Sequence, residues 1–250
     1  MKAEIADSLL ELNRRFYAQQ AASFSATRQR IQPGMAHSLS EWAVTHGGFP
    51  ASSGLRMLDI GCGNGNLAAW LAEQGYQGWY TGVDQSDGLL SQVETGSDRY
   101  TYLAADLSKP DWLVDLPMQP FDLVTCFAVL HHIPGEGLRL RLLRELKRLL
   151  APDGIFIHSV WQINNSPRLV KRIQPWEKAG LVPADVEDGD VLLDWRAEGE
   201  DFGQALRYVH IYNEAELQRL AGKSSLKINE SWSSDGKGDN LGLYQVWSRA

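Results

Sequence analysis

The stretch "LDIGCGNGNLAAWLAEQG" constrains this chain most. It puts Gly61, Gly63 and Gly65 at alternate positions between two apolar segments of different periodicity. Ahead of them, "RMLDI" is a short buried-strand run that ends beside an acid. Behind them, "NLAAWLAEQG" has helical spacing and stops at Gly75. Glycine after a strand permits a tight turn and lets a ligand approach bare backbone. The chain must pass from a strand, through a ligand-sized turn, into a helix.

The alternation then repeats. "WYTGVD", "YTYLAAD", "FDLVTCFAVL" and "GIFIHSVW" read as further strands, with helices over "QSDGLLSQVE" and "GEGLRLRLLRELKRLL". "ALRYVHIY" and the helix "NEAELQRLAG" resume the pattern, and "LKINESWSS" and "LGLYQVWS" close the chain as an antiparallel pair. Strands alternating with helices imply a parallel sheet covered on both faces. The expected fold class is α/β. It is a Rossmann-like, seven-stranded, mostly parallel sheet with one antiparallel strand and helices on both faces. One domain spans 1–250, with an N-terminal helical cap over 1–50. Residues 162–205 form an insertion after the fifth strand and a substrate-facing lid; its "SPRLVKRIQPWEKAG" reads as a helix interrupted by Pro175.

Composition narrows the partners. Seven more acids than bases, 31 against 24, leave no global positive field for nucleic acid, so such a partner must be held by a local patch. No apolar run approaches the roughly 20 residues needed to cross a bilayer. "MKAEIADSLLELNRRF" lacks a signal-peptide core, so a cytoplasmic location without membrane contact is expected. Cys62 and Cys126 lack metal-type spacing; free thiols and no metal are expected.

The turn also discriminates between nucleotides. Dinucleotide sites favour G-x-G-x-x-G, with a pyrophosphate at the helix N-terminus. Here the spacing is G-x-G-x-G, position 66 is Asn66, and Asp59 precedes the first glycine. A carboxylate there repels a pyrophosphate and suits an ammonium group. S-adenosyl-L-methionine fits, being phosphate-free, with an amino-acid end and a cationic sulfur. Asp84, 19 residues beyond Gly65, stands where an acid bonds ribose hydroxyls, with Gln85 beside it. Ala105, Asp106 and Leu107 end the third strand as the adenine contact. Phe127 and Ala128 end the fourth, beside the expected methyl position. With Asp59, Gly61, Cys62, Gly63 and Gly65, these residues make the expected cofactor-binding set. One of His131 and His132 is expected to line the methyl pocket, and His131 is taken as the candidate.

"LDIGCGNGNL", "GVDQS", "AAD" and "FDLVTCFAVLHHI" resemble the successive motifs of class I S-adenosylmethionine-dependent methyltransferases. The flanks resemble something narrower, the wobble-uridine tRNA carboxyl methyltransferases. The likeness rests on Phe24, Ser25, Thr27 and Arg28, on "GDVLLDW", and on Arg207, Tyr208 and His210. Ser23, Gln32 and Asp194 depart from that pattern. The resemblance implies O-methylation of a carboxymethyl-type group on a modified uridine. It implies a tRNA anticodon loop as partner and a small activating subunit. A carboxylate is already ionised at neutral pH, so no obligatory base is expected, and Arg28, Arg207 and His210 would orient the anion. Trp161 and Trp176 are candidates to stack an exposed base. Arg14, Arg15, Arg30, Arg168, Lys171 and Arg172 are candidates for phosphate contact. Eight carboxylates between residues 184 and 201, against Arg196 alone, oppose extensive RNA contact on that side. The basic side of "LRLRLLRELKRLL" reads as a solvated face. A small-molecule or lipid acceptor is the alternative, and a non-catalytic methyltransferase-fold partner protein a further one.

Overall fold

Met57 and Leu58 face opposite sides of the same sheet, as do Leu123 and Val124, and Phe156 and Ile157. This period-two alternation of apolar residues on both faces makes a central sheet that must be covered twice. The computed structural model describes residues 1–26, 30–94, 97–195 and 205–250.

Two helices, α1 (Ala3–Ala26) and α2 (Pro33–Thr45), precede the sheet. Then come β1 (Arg56–Ile60), α3 (Asn66–Glu73), β2 (Trp79–Asp84), the single turn α4 (Asp87–Leu90), β3 (Tyr100–Ala104) and β4 (Phe121–Phe127). The helix α5 (Glu136–Leu149) leads into β5 (Leu150–Trp161). Past it lie α6 (Pro167–Val170), β6 (Ile173–Gln174), β7 (Asp190–Asp194), β8 (Leu206–His210), α7 (Glu214–Lys223), β9 (Leu226–Ser234) and β10 (Gly242–Arg249).

The main sheet runs β3-β2-β1-β4-β5-β10-β9. β1 to β5 pair in parallel and β10 is antiparallel to both neighbours. The fold class is therefore as the alternation of strands and helices implies. One face is covered by Leu142, Leu143 and Leu146 of α5 with Leu217 and Leu220 of α7. The other is covered by Leu39 and Trp42 of α2 with Leu67 and Leu71 of α3. Each buried leucine contributes about 2 kcal/mol by leaving water.

Two sequence readings are corrected. The strand over "ALRYVHIY" does not join the main sheet. β8 pairs antiparallel with β7, and β7 with β6, in a separate three-stranded sheet. The segment around Pro175 is not an interrupted helix: it is one helical turn, a two-residue strand and a 3₁₀ turn over Trp176–Ala179. Proline lacks the N–H that would continue a helix, and Gly180 ends the turn at φ 72°. Among the described residues no helix is long and apolar enough to cross a membrane.

Candidate active site

Gly61, Gly63 and Gly65 have φ of 73°, 57° and 78°, the left-handed region that side chains resist. That conformation folds the chain back so that the Gly61 and Cys62 amides donate to the Val83 carbonyl at 2.7 and 3.1 Å. The turn is thereby fixed to β2, and Asp84 at the end of β2 accepts from the Gly63 amide at 2.9 Å. The Ser86 amide donates to the other Asp84 oxygen at 2.8 Å. Each oxygen retains a lone pair for a further donor.

Beneath the turn, Asp59 is buried and accepts from the Tyr80 phenol at 2.6 Å and the Thr125 hydroxyl at 2.7 Å. Burial pushes its pKa up to about 6, the two donors hold it down, and the nearby Asp84 charge adds to the rise. Burial also pushes the Cys62 thiol up, so it is a neutral group. Asp106 accepts from the Ser108 amide and hydroxyl and, at 2.8 Å, from Arg14 of α1. Burial alone would raise Asp106, but these donors keep it below the usual carboxylate range. Ala128 holds φ 56° without being glycine, and its amide donates to the Ser159 carbonyl at 3.1 Å. Strained backbone of this kind concentrates at ligand sites.

These groups surround one cavity of about 890 Å³ at the carboxyl ends of the parallel strands. Asp59, Gly61, Cys62 and Gly63 line it, as do Asp84, Gln85, Asp106 and Leu107. Phe127 and Ala128 join them from the end of β4. Gly65 and Ala105 stand behind the wall: Gly65 starts α3, and the Ala105 amide is tied to the Asp84 carbonyl at 2.9 Å.

The same cavity also carries cations, with one further acid, Asp235. Arg30, Arg168, Arg172 and Arg207 line it, with Trp161 and Trp195. The buried Arg207 guanidinium lies 4.5 Å from the Trp161 ring, 5.1 Å from Phe16 and 5.4 Å from Trp195. Arg172 pairs with Asp194 at 3.1 Å.

His132 also lines the cavity and receives the Tyr17 phenol at Nε2, 2.8 Å away. Its Nδ1 lies 3.0 Å from the Tyr208 carbonyl. A carbonyl only accepts, so Nδ1 carries the proton and Nε2 presents a lone pair.

Several expected site residues stand elsewhere. His131 is fully buried, its Nδ1 accepts from the Trp161 amide at 3.3 Å, and it is no part of the cavity wall. The 3₁₀ turn over Leu130–His132 sends the two histidines different ways. His210 also faces away. Its Nδ1 meets Asp190 at 2.6 Å and its Nε2 meets Glu216 at 3.0 Å. Burial opposes charge there, but the two carboxylates raise its pKa. Glu187, Asp190 and His210 bring ligand-type atoms within 4.8 Å of one another, and Arg139 already pairs with Glu187. Arg139 is wholly buried, not on a solvated face, because Glu187 and Glu216 meet it from other segments. Arg28 lies outside the described residues. Trp176 packs with Leu9 and Tyr208 away from the cavity. Arg14 and Arg15 are taken up by Glu11 and Asp106, and Lys171 is exposed beyond the wall. Tyr17 and Asn13 carry no motif signal and enter the site only through the packing of α1, while Trp195 closes "GDVLLDW" just past β7. Cys62 and Cys126 are both buried free thiols.

A family model described as "Methyltransferase domain" matches residues 14–230. A putative methyltransferase of Encephalitozoon cuniculi is 28% identical over 217 residues, 86% of each chain. A ubiquinone biosynthesis O-methyltransferase of Pseudomonas syringae pv. tomato is 32% identical over 122 residues, 46% of this chain and 47% of that protein. The matched segment thus spans about half the length of that second relative. Among solved structures, the 1,6-didemethyltoxoflavin-N1-methyltransferase of Burkholderia thailandensis superposes with a TM-score of 0.63 at 19% identity, covering 100% of this chain and 92% of that one. The magnesium protoporphyrin IX methyltransferase of Synechocystis gives 0.62 at 18% identity, covering 96% and 99%. At those identities the likeness is one of fold. With the family model covering most of its length, the chain belongs to the methyltransferase domain family.

Proposed function

We propose that this chain is an S-adenosyl-L-methionine-dependent O-methyltransferase acting on an anion attached to a planar ring, the carboxymethyl-type group of a modified wobble uridine in a tRNA anticodon loop. The observation that carries this reading is that acids at the ends of β1 to β3 share one cavity with arginines and tryptophans. Asp59, Asp84 and Asp106 line it, with Asp235, and so do Arg168, Arg172 and Arg207 with Trp161 and Trp195.

The strand-end acids suit the cofactor. Bare backbone at Gly61 and Gly63 would admit its amino-acid end, Asp59 would face the ammonium, and Asp84 would offer lone pairs to ribose hydroxyls. Leu107 and Asp106 stand ready for the adenine. When bound, S-adenosylmethionine supplies a methyl group on a positive sulfur. The chain's own task is alignment, which supplies much of the rate of an in-line displacement. Arg207, braced by three aromatic rings, would fix a carboxylate in line, and Trp161 and Trp195 would hold the base plane. The described part of the insertion, residues 162–195, would close over the acceptor as a lid.

A second reading, a small-molecule hydroxyl acceptor, is favoured by one observation: the Tyr17 phenol and His132 both line the cavity, so an acceptor's proton could pass to the Tyr17 oxygen as the phenol proton moves to His132 Nε2. A hydroxyl must lose a proton in the reaction, and a carboxylate need not.

The deciding experiment incubates the full chain with labelled cofactor and total tRNA from a strain lacking the gene. Label in a base-labile ester of a uridine supports the first reading. Label that enters only small molecules sinks it. His132→Asn then separates chemistries, leaving ester formation within about threefold of wild type and cutting hydroxyl methylation by about 10²-fold or more.

A further inference from the structure

The ends of α5 and α7 meet the end of β10 at the amino-terminal edge of the parallel strands, the opposite end of the sheet from the glycine turn. A hollow of about 490 Å³ lies there, lined by Arg144, Lys147, Arg148, Arg249, Ser224 and Ser225. Four cations share it and no carboxylate lines it.

Their lack of counter-charge is specific. Elsewhere on α5, Arg139 pairs with Glu187 and Glu216, and Arg141 with Glu145. On α7, Arg219 and Lys223 pair with Glu136. Among the described residues none of the four lining cations has a carboxylate partner. In a chain with seven more acids than bases, this leaves a concentrated positive field at one place.

The cations are also oriented. One Arg144 nitrogen donates to the Lys223 carbonyl at 3.3 Å, and one Arg249 nitrogen to the Leu150 carbonyl at 2.6 Å. Those carbonyls end helices or begin strands, so the two arginines relieve helix-end dipoles. A guanidinium has five donors, and each of these bonds uses one. The Arg249 Nε is buried without a hydrogen-bond partner. Ser225 holds φ 56° beside it, a costly backbone state for a residue other than glycine.

We propose that this hollow binds the phosphate backbone of RNA, as a docking surface separate from the methyl-transfer cavity. The proposal rests on the RNA reading above. Phosphates in series match an array of unpaired cations with hydroxyl donors beside them. The lining has no apolar side chain to enter a bilayer, which disfavours a lipid surface.

The test uses the full chain and the double variant Lys147→Gln, Arg148→Gln, at one half-buried and one exposed lining side chain of α5. Unmodified tRNA binding is read by anisotropy across a salt series, with cofactor binding and melting temperature as controls. The expected result is about a tenfold loss of tRNA affinity near 0.1 M salt, with the log–log salt slope shallower by about 1.5. Cofactor binding stays at the wild-type value. Unchanged tRNA affinity and slope would overturn the proposal. So would a loss confined to inorganic pyrophosphate, or to anionic phospholipid vesicles, with tRNA binding intact. Binding and methylation are read separately. A chain that docks tRNA here yet puts no label into it sinks the substrate reading and leaves this surface standing.

Discussion

The Tyr80 phenol donates to Asp59 at 2.6 Å, across the β1–β2 pair beneath the glycine turn. That bond and the one from Thr125 do not outweigh burial, and Asp59 titrates at about 6 against an ordinary 3.8. A group whose native pKa lies above its unfolded value favours folding most below that unfolded value, and loses the advantage as pH rises through 6. At neutral pH the native state therefore carries a buried carboxylate at a cost of about 3 kcal/mol. Asp59→Asn is expected to raise stability at pH 7.5 by about 1–3 kcal/mol and to weaken cofactor binding at least about tenfold. Wild-type affinity should climb between about pH 5 and 7 as Asp59 ionises, and the variant's should stay flat. Thermal melts and calorimetric titration read both quantities. A variant that is less stable and binds normally would show that Asp59 serves the fold and not the ligand.

Gly61 and Gly63 share a backbone conformation and differ in what surrounds them. A Cβ at Gly61 would sit 2.2 Å from Val129 Cγ2, while one at Gly63 would meet nothing nearer than Leu89 at 4.0 Å. Gly61→Ala thus combines a steric clash with left-handed strain, and is expected to cost about 2–4 kcal/mol. Gly63→Ala carries only the strain, about 1 kcal/mol, but places a methyl group in the cavity. Chemical denaturation should rank Gly61→Ala as the less stable. Cofactor titration of the folded Gly63→Ala protein should show a loss of about tenfold or more. Equal stability of the two would mean that Val129 yields freely.

The turn, the strand-end acids and the doubly covered sheet were legible because each is local. Asp59, Gly61, Gly63 and Asp84 lie in motifs whose spacing carries their geometry. What escaped the sequence is non-local. β8 has the pattern of any strand, and nothing in residues 206–210 says that its partner is β7 and not β5 or β10. His210 and Arg139 read as surface or substrate groups because their carboxylates come from positions 187, 190 and 216, distant in the chain. Tyr17 looks like one more aromatic residue on an amphipathic helix until α1 packs beside the 3₁₀ turn carrying His132. The neighbouring histidines share Trp161 as a ring neighbour, yet only His132 lines the cavity and meets Tyr17, which spacing alone does not reveal.

His158 supplies the acid-sensitive element of the core. It is fully buried, stacked on Phe156 at 5.1 Å and edge-on to Trp247 at 4.7 Å. Burial lowers its pKa to about 3 from an ordinary 6.5. The native state therefore holds it neutral, while the unfolded chain takes up a proton near 6.5. The sign is opposite to that of Asp59: stability is fully present above 6.5 and is lost as pH falls from 6.5 toward 3. Between pH 7 and 5 the loss from this group is about 2 kcal/mol. His158→Phe removes the titrating nitrogen and keeps an aromatic ring between its two neighbours. Urea unfolding at pH 7 and pH 5 should show the variant losing about 2 kcal/mol less than the wild type over that interval. The readout is the difference in pH dependence, which a constant packing penalty from the larger ring does not change. If the variant and the wild type lose stability equally over that interval, His158 takes up no extra proton on unfolding, and its neutral burial is not the source of acid sensitivity.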